Sequence, residues 1–234
     1  MDIEDSRIRF ANGRPIGYVG EYAIISDIHF GFERTLKESG YDVKDMTQNI
    51  IDSVKSVNRR KLVILGDVRD KFGEIKPDEG GALLSAFSSM TGNFDEIVIT
   101  KGNHDAGLYK LINRFNNVRL LDEFIIDKVG FLHGHKLPSL SLASSVDTLC
   151  MGHVHPSTVV EDSNGIRYKK DCWLLCDLAL PASKYKEPTL KYLIVAPKFN
   201  PFIGSTDKFR KTGILRYVKN VNRVTTDLLF LLKA

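Results

Sequence analysis

All six histidines of the 234-residue chain lie in four short segments that also contain glycine or aspartate. These segments are DIH at 27–29, GNHD at 102–105, HGH at 133–135 and GHVH at 152–155. Each follows an apolar run typical of a strand, and so does a fifth segment without histidine, GDVRD at 66–70. Because the carboxyl ends of strands present ligands at one edge of an α/β sheet, we expect the five segments to converge there. The pattern therefore predicts an α/β fold that assembles one metal site from distant parts of the chain.

Hydrophobic periodicity and turn residues predict the secondary structure around these segments. The predicted strands are 8–10, 16–19, 22–25, 61–65, 97–99, 118–126, 129–132, 148–151, 166–168, 173–180 and 190–195. The Asn12-Gly13 pair favours a hairpin between the first two strands. The predicted helices are 43–57 with Asp42 as N-cap, a stretch after Pro77, and 108–115. The strands after residue 160 predict a second sheet packed against the first, and 197–212 is predicted to be an irregular, mobile loop.

Length and composition fit one α/β domain over residues 1–234, with a motif-bearing core at about 22–156. The first ten residues are charged and show no secretory signal, and the apolar run at 228–232 is too short to cross a bilayer. We therefore expect a cytoplasmic protein without a membrane partner. Cys150, Cys172 and Cys176 form no Cys-x-x-Cys pair, and we expect buried free thiols. A pairing or metal-binding role for Cys172 and Cys176 is the alternative.

The net charge of +4 is unevenly distributed along the chain. Residues 184–234 contain 11 Lys or Arg against 3 Asp or Glu, a net charge of +8, whereas residues 1–183 carry −4. This basic C-terminal part could bind a phosphate backbone, or it could be a solvated surface. Charge alone does not decide between the two.

The ligand types in the five segments restrict the metal. Two aspartates, four or five histidines and an asparagine provide oxygen and nitrogen donors without thiolate, which suits manganese, iron or zinc rather than calcium. Some seven donors exceed what one ion with open positions would use, so we expect two ions that share a bridging carboxylate. Taken singly, Asp27 or Asp67 could instead cap a turn or a helix.

In this order, the segments DIH, GDVRD, GNHD, HGH and GHVH resemble the calcineurin-like metallophosphoesterase family over about residues 22–156. The resemblance implies a four-layer αββα sandwich of two mixed β-sheets flanked by helices, with the metal site at the C-terminal strand ends. Within the family, the motifs are similar to those of the ICC-like phosphoesterases, which include the PdeM proteins and are related to the SbcD nucleases. Asp70 departs from the basic residue or histidine expected in many relatives. The chain also lacks the long accessory regions of the SbcD-type nucleases.

The resemblance also implies a role for each motif residue. One ion would be held by Asp27, His29, Asp67 and His155. The second would be held by Asp67, Asn103, His133 and His153, with Asp67 as the bridge. His104 would lie near the leaving oxygen as general acid or hydrogen-bond donor. Asp70 and Asp105 are grouped with His104 at the catalytic centre, where they would hydrogen-bond neighbouring motif residues, with surface carboxylates as the alternative. His135 would contact a metal ligand or the substrate, or be an ordinary surface histidine.

These features predict a phosphoric ester hydrolase with two divalent metal ions, manganese being favoured and iron, zinc or nickel the alternatives. A metal-activated hydroxide would attack phosphorus in line, and the expected activity is a phosphodiesterase acting on nucleic acid, such as DNA, or on nucleotides. The alternative is a nucleotide or small-molecule phosphomonoesterase. A non-catalytic scaffold of the same fold is less compatible with a complete ligand set. The protein could also form a homo-oligomer.

Overall fold

A computed structural model describes residues 1, 6–208 and 210–233, which form two mixed β-sheets flanked by helices. The strands are β1 (Arg9–Phe10), β2 (Gly17–Val19), β3 (Tyr22–Ile25), β4 (Lys61–Ile64), β5 (Glu96–Thr100), β6 (Val118–Leu121), β7 (Phe124–Ile126), β8 (Val129–Phe131), β9 (Thr148–Met151), β10 (Ser157–Glu161), β11 (Arg167–Leu178), β12 (Tyr192–Val195), β13 (Val218–Thr225) and β14 (Leu231–Lys233). The helices are α1 (Phe32–Glu38), α2 (Thr47–Lys55), α3 (Pro77–Thr91), α4 (Tyr109–Ile112), α5 (Leu140–Ser145) and a 3-10 helix (Gly213–Tyr217).

The first sheet has the strand order β1-β2-β3-β4-β5-β6. Its first three strands are antiparallel and β3 to β6 are parallel. The hairpin predicted at Asn12-Gly13 is confirmed, with Phe10 opposite Gly17. The second sheet has the order β14-β13-β11-β12-β9-β8-β7, with β10 paired to β11. There β12, β9 and β8 are parallel and antiparallel strands flank them on both sides, whereas the first sheet has its antiparallel strands at one edge only and ends on the parallel pair β5-β6.

Alternating side chains along the central strands join the layers. On β4, Leu62 and Ile64 face the core beneath α2 and α3, whereas Val63 faces the core between the two sheets. On the far side, Leu174 and Leu193 of the second sheet share a third core with α5 and the 3-10 helix. The predicted four-layer arrangement, helices on both outer faces of two sheets, is confirmed.

Three predicted strands differ from the structure. Residues 118–126 do not form one strand, because β6 ends the first sheet while β7 begins the edge of the second. Asp122 and Glu123 lie at this crossing, and Glu123 accepts hydrogen bonds from the backbone and side chain of Ser139 at 2.6 Å. Residues 166–168 and 173–180, predicted as separate strands, belong to the single 12-residue strand β11. Its exposed first half pairs with β10, which is why its polar sequence did not look like a continuous buried strand.

The predicted N-cap of the second helix was wrong. Helix α2 begins at Thr47 rather than near Asp42, and Asp45 accepts a hydrogen bond from the Thr47 amide at 2.8 Å. Helix α1 was not predicted because Glu33 is its one buried residue, so it has no apolar stripe. Helix α5 and strands β10, β13 and β14 were likewise not predicted.

The three cysteines are free and buried, as expected. Within the described ranges, no helix has the length and apolar character needed to span a bilayer. The described part of residues 197–212 contains no helix or strand, as predicted, but it is hydrogen-bonded to other parts of the molecule.

Candidate metal centre

The five motif segments follow β3, β4, β5, β8 and β9, and they meet where the carboxyl ends of both sheets lie side by side. The first sheet contributes the segments at 27–29, 66–70 and 102–105, and the second contributes 133–135 and 152–155. Strand ends are rigid, so side chains far apart in sequence can converge with little freedom left to lose. The predicted convergence at the strand ends is therefore observed.

Two groups of donor atoms result. Asp27, His29 and His155 offer one group, with atoms all within 4.8 Å of one another. The second group, equally compact, comprises Asp67, His133 and His153. In the first group His155 Nε2 is 3.1 Å from Asp27 Oδ1, and in the second His133 Nε2 is 3.2 Å from Asp67 Oδ2.

Asp67 lies between the two groups. Its Oδ2 atom is 3.2 Å from His133 Nε2 in one group and 3.8 Å from His29 Nε2 in the other. Asn103 joins the second group, because its Oδ1 atom is 3.1 Å from His133 Nε2. The structure thus brings together all seven side chains predicted as ligands.

The histidines of the first group are oriented as metal ligands are. His29 Nδ1 lies 3.2 Å from Asp70 Oδ1, and His155 Nδ1 lies 3.1 Å from the carbonyl oxygen of Gly204. Their Nε2 atoms are buried and make no hydrogen bond, although His155 Nε2 is close to Asp27. A ligating histidine holds its outer nitrogen in a hydrogen bond and directs the inner one at the ion. Unpaired buried nitrogens beside carboxylates fit a divalent cation.

The backbone at these positions is strained. Eight non-glycine residues among those described have positive φ, and five of them are predicted ligands. These five are Asp27, His29, Asp67, His153 and His155. Such conformations are costly for residues with a Cβ atom and persist where the surrounding structure enforces them, commonly at functional sites.

Two glycines are required by close contacts at this centre. A Cβ atom at Gly102 would collide with the backbone and carboxylate of Asp67. At Gly152 it would collide with the Ser26 hydroxyl and the Asp27 carboxylate. Each glycine therefore lets one motif segment approach a ligand that belongs to another.

Electrostatics keep the aspartates ionised. Burial would raise the pKa of Asp27, but the close contact with His155 and the charge of that ring outweigh it, so this pKa falls below its ordinary value. Burial would likewise raise the pKa of Asp67, but the hydrogen bond and charge of His133 outweigh burial and lower it. Burial and the charge of His133 lower the pKa of His153, which favours the neutral imidazole that a metal needs.

His133 carries the proton that a metal ion must displace. Burial would lower its pKa, but the hydrogen bond to Asp67 and the charges of Asp27 and Asp67 raise it to about 9. In the metal-free protein this pairing stabilises the fold fully below about pH 6.5, the ordinary histidine pKa, and the contribution is lost as pH rises through about 9. The pKa of His155 is raised as well, because the effect of Asp27 outweighs that of burial.

We therefore expect metal binding to release at least one proton per chain at pH 7.5. The apparent affinity should rise with pH up to about 9, by up to about tenfold per unit for each proton displaced. Isothermal titration of Mn²⁺ into metal-free protein, in buffers of different ionisation enthalpy, measures the proton count. An apparent enthalpy that does not change with the buffer would contradict the His133 assignment.

The three predicted catalytic residues occupy different positions. His104 Nε2 lies 3.7 Å from Asp67 Oδ2, at the edge of the second donor group, and its Nδ1 is hydrogen-bonded to the carbonyl oxygen of Asp70. The Asp70 carboxylate contacts His29 Nδ1 and accepts a 2.5 Å hydrogen bond from Thr35. Asp105 is fully buried and accepts hydrogen bonds from the amides of Val68 at 2.9 Å and Gly102 at 2.8 Å. Burial also raises the Asp105 pKa.

Asp70 therefore contacts the centre through His29 and His104. Asp105 joins its own segment, 102–105, to the segment at 66–70. His135 lies further out, with its ring centroid 5.4 Å from that of His133. Burial and the charge of His133 lower its pKa to about 4, so it is neutral at pH 7.

The sequence analysis did not identify Arg69 as important to the site. Its side chain is fully buried and forms a two-pronged ion pair with Glu79 of α3, at 2.6 and 2.9 Å. Its Nη1 atom donates to the carbonyl oxygens of Gly73, His104 and Ala106. Arg69 thus fastens the segment carrying Asp67 to the segment carrying His104.

Asn200 was also missed. Its Nδ2 atom donates to the carbonyl oxygen of Ile28 at 2.8 Å, and the amide of the preceding Phe199 donates to Ser26 at 2.7 Å. The chain after β12 therefore folds back and supports the Asp27 segment. Arg69 lies inside a motif, two residues after Asp67, which is a usable signal, but nothing in the sequence indicated Asn200.

The family's sequence pattern identifies the chain. It belongs to the calcineurin-like phosphoesterase family, whose pattern matches residues 21–175. This range contains all seven donor residues and His104. The resemblance predicted from the five motifs is confirmed. The family consists of metal-dependent phosphoester hydrolases together with some members that are not catalytic.

One solved structure shows the same fold, and two others give weaker matches. The nuclease MPE of Pseudomonas putida superimposes with a TM-score of 0.58 at 14% identity, covering 96% of this chain and 98% of that one. A protein of unknown function from Aquifex aeolicus gives a TM-score of 0.41 at 19% identity, covering 57% and 78%. Zinc-bound Vps29 of Entamoeba histolytica gives 0.35 at 11% identity, covering 91% and 96%. A comparison with curated protein sequences finds no significant match.

Proposed function

We propose that this protein is a two-metal-ion phosphodiesterase that acts on nucleic acid or nucleotides. One observation carries the proposal: two compact donor groups lie on either side of the Asp67 carboxylate. Structural metal sites are usually closed around one ion by four ligands, whereas two adjacent oxygen and nitrogen groups with a shared carboxylate are typical of hydrolytic two-metal sites.

The family resemblance implies a role for each residue, and the contacts support these roles. Asp27, His29 and His155 would hold one ion and Asn103, His133 and His153 the other, with Asp67 shared. Divalent ions bound there supply an activated water at neutral pH and neutralise charge on the phosphoryl oxygens. Manganese is the metal that we favour, with iron, zinc or nickel as alternatives.

The contacts of His104 support a role as proton donor. Its Nδ1 is bonded to the carbonyl oxygen of Asp70, and a carbonyl can only accept, so Nδ1 must carry a hydrogen. Nε2, on the side of Asp67, then bears a second hydrogen only in the protonated ring. We propose that this protonated form donates to the leaving oxygen of the ester.

A basic segment beside the centre supports a phosphodiester of nucleic acid as substrate. Lys208, Arg210 and Lys211 are exposed and follow Gly204, whose carbonyl oxygen accepts from His155. Thr206 is fixed to the same region, since its amide donates to the His155 carbonyl oxygen at 2.9 Å. Basic side chains next to a hydrolytic centre attract a phosphate backbone, although a solvated surface remains the alternative.

The substrate class is tested with Mn²⁺-loaded protein on four substrates: bis-p-nitrophenyl phosphate, p-nitrophenyl phosphate, and single- and double-stranded DNA. We expect hydrolysis of the diester and of DNA, and a decline of the DNA rate with added salt. Preference for the monoester would instead indicate a phosphomonoesterase. Absence of metal-dependent hydrolysis of all four, with metal bound, would refute the enzymatic proposal and favour a scaffold.

The role of His104 is tested by His104→Ala. Because His104 is not a proposed ligand, we expect kcat to fall about 10²- to 10⁴-fold while the bound metal is retained. Steady-state kinetics and elemental analysis of the same preparation measure both quantities. Loss of metal in this variant would show that His104 is a ligand instead.

A further inference from the structure

An exposed phenylalanine covers the ring of His104. Phe72 is 66% exposed, and its ring centroid is 3.6 Å from that of His104 at an interplanar angle of 32°. Among the described residues, His104 is the one ring that stacks on Phe72. A large apolar ring left in water beside the proposed proton donor offers an aromatic surface at the entrance to the centre.

A cavity of about 860 Å³ begins at the next residue along the chain. Its wall includes Gly73 and Glu74 from the segment after Asp67, and Ala106 and Gly107 from the segment after His104. The Arg69 guanidinium binds the carbonyl oxygens of Gly73 and Ala106, so it holds both parts of this wall in place. Phe72 and His104 do not line the cavity themselves, but Phe72 directly precedes Gly73 and His104 lies two residues before Ala106, so the cavity begins beside the stacked pair.

The lining suits a nucleoside with a neighbouring phosphate. Ile75, Leu84 and Leu111 provide apolar surface, and Lys76 and Lys110 provide positive charge. Sites for drug-sized ligands measure roughly 300–1,000 Å³, so this cavity can accept a base, a sugar and part of the backbone. A small phosphomonoester would leave most of it empty.

We propose that Phe72 and this cavity bind the nucleoside on the leaving-group side of a single-stranded polynucleotide, with its base stacked on Phe72. The assignment rests on the proposed phosphodiesterase function and on the position of His104 by the leaving oxygen. It adds the substrate class, because stacking on an aromatic ring requires an unpaired base. Every base has a flat face, so the subsite predicts little sequence preference.

The test is a binding measurement that does not depend on turnover. The probe is a single-stranded phosphorothioate oligonucleotide carrying 2-aminopurine, titrated into Mn²⁺-loaded protein while fluorescence is recorded. We expect wild-type protein to quench the fluorescence on binding. Phe72→Ala should weaken binding about 5- to 150-fold, the effect of losing one base–aromatic stack, and Phe72→Trp should restore it.

A second variant tests the cavity. Gly81 lines the cavity on α3, has ordinary helical backbone, and has no atom within 4 Å of the place where a Cβ would lie. Gly81→Phe should therefore fold normally, fill the cavity and weaken oligonucleotide binding. The matched control is Tyr41→Ala, which removes another exposed aromatic ring, 64% exposed, and should leave binding unchanged.

The outcomes separate this subsite from the proposed function. Equal binding and quenching by wild type, Phe72→Ala and Gly81→Phe would overturn the subsite, even in an active phosphodiesterase. Equal losses in Tyr41→Ala would also overturn it, because the effect would then be non-specific. Failure of the wild type to hydrolyse any diester would refute the proposed function, whereas Phe72-dependent quenching would still support a nucleic-acid subsite.

Discussion

Replacing Asp67 by asparagine should reduce kcat on bis-p-nitrophenyl phosphate by at least about 10²- to 10³-fold, the scale of losing one central electrostatic contact. Asp67 Oδ2 faces His29, His104 and His133, while its Oδ1 accepts from the His104 amide at 3.0 Å. The amide has nearly the same shape but no charge, so it cannot balance two cations. We expect weaker metal binding as well, measured by titration of the metal-free variant.

The matched control for this variant is Asp147→Asn. Asp147 also forms an ion pair, with Arg7, but away from the motif segments. It should retain wild-type turnover and metal content. An Asp67→Asn enzyme with both ions bound and turnover within tenfold of wild type would contradict the shared-carboxylate role.

Replacing Arg69 by methionine should lower the free energy of unfolding by about 3–5 kcal/mol, because Glu79 would keep a largely buried charge without its partner. For a chain of this size that corresponds to a drop in Tm of roughly 6–20 °C. Metal-free protein should be used, so that a change in ligand binding does not add to the measured stability. Thermal and denaturant unfolding followed by circular dichroism would measure the effect.

Two further variants make the Arg69 result specific. Arg69→Met with Glu79→Leu removes both charges and should recover much of the loss, since an apolar pair of similar size can replace a buried ion pair. Arg60→Met breaks the exposed pair with Asp95 and should leave Tm nearly unchanged. The stabilising role of the Arg69–Glu79 pair would be disproved if Arg69→Met unfolded at the same temperature as Arg60→Met.

The sequence was sufficient to predict the positions of those residues of the centre that lie at strand ends. A ligand such as Asp27 or His153 follows a short apolar strand directly, so strand prediction also predicts its location. Gly102 and Gly152 belong to the segments found in the sequence, and the structure shows which side chains they approach. The order of the segments indicated the family, and the match of the family's sequence pattern to residues 21–175 confirms it.

Other features depend on tertiary structure and could not be predicted in this way. The Arg69–Glu79 pair joins a loop to a helix, and the contact of Asn200 with Ile28 spans 172 residues. The split of 118–126 between two sheets depends on where the chain crosses, not on its apolar pattern. The Phe72–His104 stack likewise requires two loops to be brought together.

The central claim is that two ions bind on either side of Asp67. Anomalous diffraction from crystals of the Mn²⁺-loaded protein, recorded near the manganese absorption edge, tests it most directly. We predict two anomalous peaks, one beside Asp27, His29 and His155 and one beside Asn103, His133 and His153, with Asp67 in contact with both. A single peak, or peaks outside these two groups in crystals of active enzyme, would contradict the account.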